Sequence, residues 1–178
     1  MSKANKSNKA IKYRLYPNDE QKIMFAKTFG CCRFVYNQLL ALQKQRYKDG
    51  ESHLSKLKSN EFATRTLKKD YDFLKEIDKF AVSNAVFHLA DAYDRFFKKQ
   101  NHFPKFKSKR KSKKSYTTNF TNNNILIGKN VIKLPKVGMV KAVIHRLPKD
   151  DWKLKSVTVS QDSVGNYFAS VLFEYEQE

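Results

Sequence analysis

Acidic residues are scarce in this chain: 17 Asp and Glu stand against 36 Lys and Arg, a formal net charge of +19 over 178 residues. Cysteine is scarcer. Cys31 and Cys32 are the only two, and adjacent residues can neither staple distant segments nor offer the C-x-x-C spacing of a zinc site. The reading is two free thiols packed near a helix start in a reducing compartment. His53, His88, His102 and His145 are scattered without ligand spacing, so ordinary surface or core histidines are expected. No run approaches the ~18–20 apolar residues of a membrane span. The opening Met1-Ser2-Lys3-Ala4-Asn5-Lys6 lacks a secretory apolar region, so a cytoplasmic, nucleoid-associated protein with no membrane partner is expected. Walker, G-x-S-x-G and dinucleotide motifs are missing too, and the sequence shows no self-contained active site.

The positive charge is concentrated. Residues 98–114 carry nine Lys and Arg and no acid, and lead into Ser115-Tyr116-Thr117-Thr118-Asn119-Phe120-Thr121-Asn122-Asn123-Asn124. Charge this dense repels itself unless a polyanion offsets it. A short polar and aromatic stretch beside it suits bases and sugars better than lipid tails. With 40% hydrophobic and 13% aromatic residues, the chain has enough apolar material for a core. A folded nucleic-acid-binding protein is the expectation.

Hydrophobic periodicity divides the chain. Residues 9–16 alternate, with Ile11, Tyr13 and Leu15 on one face and Ala10, Lys12, Arg14 and Tyr16 on the other, which reads as a half-buried strand with a basic face. Pro17 ends it, and Asn18 followed by Asp19 and Glu20 reads as a helix cap. Residues 18–100 read as helical, interrupted at Gly30 and at Asp49-Gly50, with a polar helix over 54–69. The clearest amphipathic stripe is Val82, Ala85, Val86, Leu89, Tyr93, Phe96 and Phe97, expected to be core. Residues 101–124 read as a basic linker and a DNA- or RNA-facing loop. Short β-type runs fill 125–178, separated by turn signals, the last two forming a hairpin. The fold class is therefore α+β: a small antiparallel β-barrel, interrupted by a helical insertion, with the strand of segment 1–17 pairing to the C-terminal strands.

Several segments resemble a known family. Lys12-Tyr13-Arg14-Leu15-Tyr16-Pro17, Glu20-Gln21, Phe29-Gly30-Cys31-Cys32-Arg33-Phe34-Val35-Tyr36-Asn37, Asp78-Lys79-Phe80-Ala81, Phe103-Pro104-Lys105-Phe106-Lys107, Phe120-Thr121-Asn122-Asn123-Asn124 and Lys133-Leu134-Pro135-Lys136-Val137-Gly138 are similar to the opening of TnpB (OrfB) proteins of bacterial insertion sequences, and they keep the family order. The resemblance implies an OB-like wedge barrel split by a helical recognition insert, followed by a RuvC-like nuclease domain with a zinc-binding insertion. This chain reaches Glu178 about where the first nuclease strand is expected, so catalytic residues are expected to be absent. Mg²⁺ and Zn²⁺ would belong to a C-terminal part. Asp150-Asp151 and Glu174 with Glu176 are tempting carboxylate pairs, but read as solvated charge.

The resemblance also implies roles. Lys79, Phe80, Ser83, Asn84, Thr121 and Asn122 are the candidate DNA-binding set, reading a short duplex motif beside the target. Ser83 stands where some relatives have Gln, so no motif preference carries over. Lys12, Arg14, Lys105, Lys107, Lys109, Arg110, Lys111, Lys113, Lys114 and Tyr116 are the candidate RNA- and phosphate-binding set, with Tyr116 or Phe120 stacking on bases. The implied partners are guide RNA, double-stranded DNA and a separately encoded nuclease half. Two other functions fit: a nuclease-free short form that represses or antagonises, or an RNA-independent helix-turn-helix regulator built on 18–48.

Overall fold

The computed structural model describes residues 5–177; the first four residues of the opening segment, and Glu178, lie outside the described residues. The chain forms two compact units, one of Ala26–Ser112 and one of the described residues before and after it.

The second of these units is a seven-stranded sheet. Its strands are β1 (Asn5–Tyr16), β2 (Lys114–Asn119), β3 (Leu126–Ile127), β4 (Val131–Leu134), β5 (Gly138–Val143), β6 (Lys153–Gln161) and β7 (Tyr167–Gln177). The order is β2-β6-β7-β1-β5-β4-β3, and every neighbouring pair is antiparallel. The α+β class holds, and the curled sheet is a half-barrel. β1 lies in its middle, paired along its length with β7 from Asn5↔Gln177 to Leu15↔Tyr167. Alternation explains its register: Ile11, Tyr13 and Leu15 are buried, and a one-residue slip would turn them to solvent. Tyr13 also donates its hydroxyl proton to the Arg146 carbonyl (2.6 Å), satisfying the polar tip of a buried ring. Phe25 fills the same core, with the rings of Tyr116 and Tyr167 at 6.2 and 5.5 Å.

The β6–β7 hairpin turns at Asp162, whose carboxylate accepts from the amides of Val164 (3.1 Å) and Asn166 (2.8 Å). Gly165 there has φ +102°, a conformation open to glycine and strained for any side chain. One strand was not foreseen. Residues 114–119, read from sequence as linker, form β2 and pair with β6, with Tyr116 and Thr118 buried between outward Ser115 and Thr117.

The other unit is helical. α1 (Asp19–Lys48) starts in the sheet unit and continues into this one. Asn18 and Gln21 cap it reciprocally, side chain to backbone amide at 2.8 and 2.9 Å, the arrangement that satisfies two orphan donors at once. The expected break at Gly30 does not occur, and α1 is one helix of 30 residues. One glycine costs a helix only about 1 kcal/mol, and Phe29, Val35, Leu39 and Leu40, all buried, hold the helix through it. The polar segment becomes α2 (Lys56–Glu61), a π-helical turn (Phe62–Leu67) and α3 (Lys68–Asp70). Within that turn the Thr64 hydroxyl donates back to the Asn60 carbonyl (3.0 Å). α4 (Lys79–Phe97) buries Ala81, Val82, Ala85, Val86, Leu89 and Tyr93. The stripe ends earlier than expected: Phe96 is half-buried and Phe97 is 58% exposed. The buried Gln43 side chain fixes the 49–55 connection, giving an N–H to the Leu54 carbonyl (3.1 Å) and accepting from its amide (3.0 Å).

Candidate nucleic-acid interface

In the helical unit the first two turns of α4 gather four of the six DNA-binding candidates. Asp78 is the N-cap; it is buried, and its carboxylate accepts from the Phe80 amide at 3.0 Å. Lys79 is exposed, while Phe80, Ser83 and Asn84 are half-buried. The Lys79 ammonium lies 5.2 Å from the Phe80 ring centre. Lys68 is close by, its pKa lowered first by burial and then by the charge of Lys79, with Asp78 acting in the opposite sense. Two ammonium groups, a hydroxyl and an amide at one helix start can give hydrogen bonds to phosphate oxygens or base edges.

Thr121 and Asn122 belong to the sheet unit. They sit in a turn braced by Asn124, whose side chain accepts from the Thr121 amide (2.8 Å) and donates to the Asn119 carbonyl (2.8 Å). Asn122 and Asn123 have φ of +48° and +56°, a region asparagine tolerates better than most residues. The turn leaves Thr121, Asn122 and Asn123 exposed.

The phosphate-binding candidates divide as well. Lys12 and Arg14 are on the face of β1 opposite its buried residues. The Lys12 ammonium lies 4.5 Å from the Phe168 ring centre. The Arg14 guanidinium lies 4.8 Å from that of Tyr16 and donates to the Asn166 amide oxygen at 2.7 Å. Lys105, Lys109, Arg110 and Lys111, in the helical unit, and Lys113 and Lys114, in the sheet unit, are exposed. Tyr116 is 3% exposed and turned into the core, which leaves no ring face for a base. Phe120, at 36% exposure, keeps an accessible ring.

Lys107 is the structured member of the set. The Asn37 side chain clamps its backbone, donating to the Lys107 carbonyl and accepting from its amide, both at 2.8 Å. Its ammonium lies 4.2 Å from the Tyr36 ring centre, and partial desolvation lowers its pKa. Just upstream, Pro104 is buried and Phe103 packs edge-on against Tyr93 (5.5 Å) and Phe96 (5.1 Å). The stretch 103–107, read as solvated linker, is thus docked on the helical unit. Sequence reasoning missed Asn37 as the clamp; its partner lies seventy residues away, and no local signal marks it.

The carboxylates do not fit a magnesium site. Asp150 and Asp151 are exposed in a turn, and Glu174 lies 3.7 Å from the Lys6 ammonium. Among the described residues no three His, Cys, Asp or Glu side chains converge as metal ligands, and no helix is long and apolar enough to cross a membrane.

Comparison with known proteins gives the family. A family model described as a helix-turn-helix domain, of the OrfB type, matches residues 5–52; here those residues hold β1 and the uninterrupted α1. A Streptomyces pristinaespiralis protein assigned as an RNA-guided DNA endonuclease is 31% identical over 93% of this chain and 41% of its own length. InsQ of Escherichia coli (strain K12), with the same assignment, is 30% identical over 94% of the chain and 40% of itself. The virulence protein VsdF of Salmonella dublin is 32% identical over 57% of the chain and 93% of itself. The chain thus spans about two fifths of the two endonuclease relatives. It belongs to the TnpB (OrfB) family of insertion-sequence proteins, and matches the recognition part of its relatives rather than a nuclease domain.

Proposed function

We propose that this chain is a guide-RNA- and DNA-binding module that does not cleave by itself. Its substrate is a short duplex motif beside a target, read by Lys79, Phe80, Ser83 and Asn84 at the start of α4 with Thr121 and Asn122. The guide RNA lies along Lys12, Arg14 and the basic segment from Lys105 to Lys114. Base pairing supplies sequence in such a system, and protein contacts supply shape, backbone grip and the motif. The observation that carries the reading is the clamp at Lys107: an acid-free segment is held in place by Asn37 although its like charges repel, as a preformed phosphate track requires. Cleavage would come from a nuclease half, with Mg²⁺ and Zn²⁺ bound there. The cytoplasm is the compartment of such a reaction.

The test is to purify the chain from its host and sequence the RNA retained at moderate and high salt. One structured RNA kept at high salt is the expected result. Heterogeneous RNA lost as salt rises would overturn guide binding, and metal-dependent DNA cleavage by the chain alone would overturn its non-catalytic role. A second reading is a short form that acts without a nuclease, as repressor or antagonist. The match spanning 93% of the Salmonella dublin relative favours it.

A further inference from the structure

The helical unit carries a groove that none of the roles above uses. It has a volume of about 650 Å³, within the roughly 300–1,000 Å³ of pockets that hold small ligands. Its walls come from the last turns of α1, the end of α4 and the start of the basic segment, with Tyr47, His53, Tyr93, Phe96, Phe97 and Phe103 among the lining residues. Four of these rings are open to solvent: His53 is exposed, and Tyr47 is 86% exposed, Phe97 58% and Phe103 40%. Exposed rings gathered in one place mark an interaction site more often than chance placement.

The rings are ordered relative to one another. Tyr93 and Phe97 stack (5.8 Å, 30°). Phe103 stands edge-on to Tyr93 (88°) and Phe96 (85°), and His53 stands edge-on to Phe97 (88°). Flat walls at right angles suit a flat ligand better than a branched aliphatic side chain.

Charge identifies the ligand further. Lys44 and Lys48, one turn apart on α1, also line the groove. The acid of the lining, Glu51, is paired with Arg46 at 2.8 Å, which leaves the rim positive. The Lys44 ammonium lies 4.5 Å from the Phe106 ring centre and 5.6 Å from that of Phe103, and Phe103 and Phe106 belong to the acid-free stretch. A flat aromatic group carrying negative charge on a flexible tether meets both demands. We infer that this groove takes an unpaired nucleobase of a bound single strand, stacked on Phe97 and Tyr47, with its flanking phosphates at Lys44 and Lys48. The inference rests on the nucleic-acid reading above and adds a stacking site to it.

The experiment compares the full chain's affinity for two labelled single strands of about 12 nucleotides, oligo-dA and an abasic strand of equal charge. Oligo-dA should bind roughly tenfold or more tightly, the scale of one or two stacked bases. A fluorescent purine analogue within it should be quenched on binding. The double variant Tyr47→Ala/Phe97→Ala should remove that advantage and the quenching while leaving the salt dependence unchanged, and Tyr47→Phe/Phe97→Tyr should keep both. Circular dichroism on each variant checks the fold. Equal affinity for the two strands, or quenching that survives the alanine pair, would overturn the groove and leave the nucleic-acid reading intact. Binding of neither strand at low salt would overturn both. Self-association that the alanine pair abolishes, with no difference between strands, would assign the groove to a second copy and overturn the proposal.

Discussion

Asn37 holds the backbone of Lys107 from both sides, giving one hydrogen bond to its carbonyl and taking another from its amide, each 2.8 Å long. A single side-chain amide thereby substitutes for a strand partner in a segment that has none. Asn37→Ala should release the basic segment. Each of the two hydrogen bonds contributes about 0.5–1.5 kcal/mol net, so the global loss should stay at about 1–3 kcal/mol, while trypsin cleavage after Lys105–Lys111 should accelerate several-fold. Unchanged proteolysis would mean that Phe103 and Pro104 hold the segment without the clamp.

Gly30 offers a change in the opposite direction. A β-carbon there would meet nothing nearer than an Arg33 side-chain nitrogen at 3.7 Å, an ordinary contact. Gly30→Ala should therefore raise stability by about 0.5–1 kcal/mol, read as a higher denaturant midpoint. A lower midpoint would show that α1 needs flexibility where its geometry shows none.

The two thiols should be inert. Cys31 and Cys32 are buried. The Cys32 thiol is pushed up to about 12, first by burial and then by Cys31, and it donates to the Ala81 carbonyl at 3.4 Å. Thiolate is the reactive form, so iodoacetamide at neutral pH should label neither residue in the native protein and both after unfolding. Rapid native labelling would place the start of α4 in an open state.

Acid should weaken the helical unit. Partial desolvation lowers the pKa of His53 and of His88 below the ordinary value of 6.5, and for His88 the charge of Lys107 adds to it. The unfolded chain therefore takes up protons first as pH falls below about 6.5, and stability is lost through that window and recovered above it. The thermal midpoint should drop between roughly pH 7 and pH 5. His53→Gln/His88→Gln should flatten the dependence.

Charge in the basic segment should appear as salt dependence. Replacing Lys109, Arg110 and Lys111 by Ala removes three exposed cations. At about 0.7 per phosphate for a single strand, the slope of log K on log salt should fall by about 2. An unchanged slope would mean that this stretch does not lie on the bound strand.

How far the sequence was legible depended on which signal stood out in each segment. In β1 the alternation of Ile11, Tyr13 and Leu15 with Lys12 and Arg14 was enough for strand and face, and the need to cover sheet edges pointed to its C-terminal partner. In residues 114–119 the same alternation was hidden, because Tyr116 and Thr118 follow directly on a lysine run that reads as linker. Gly30 suggested a break because local propensity was weighed without the packing that overrides it. Phe97 fitted the helical period of the α4 stripe, yet period alone cannot show where a buried face runs out into solvent. The start of α4 was legible from its amphipathic pattern and the Asp78 cap, whereas the Asn37 clamp joins residues seventy apart and no local pattern encodes it.

The position of β1 bears on the order in which the molecule is made. Its partner along the whole strand, β7, follows all the other described strands of the sheet in chain order, and translation adds about 5–20 residues per second. The middle strand of the sheet therefore leaves the ribosome before its partner and waits on the order of ten seconds for it, with a row of unpaired amides and an apolar face. The helical unit is contiguous in sequence and needs no such delay. During synthesis the helices of this unit can be in place while the sheet that flanks them in sequence is still an open strand, and a nascent chain paused before β7 would expose an adhesive edge.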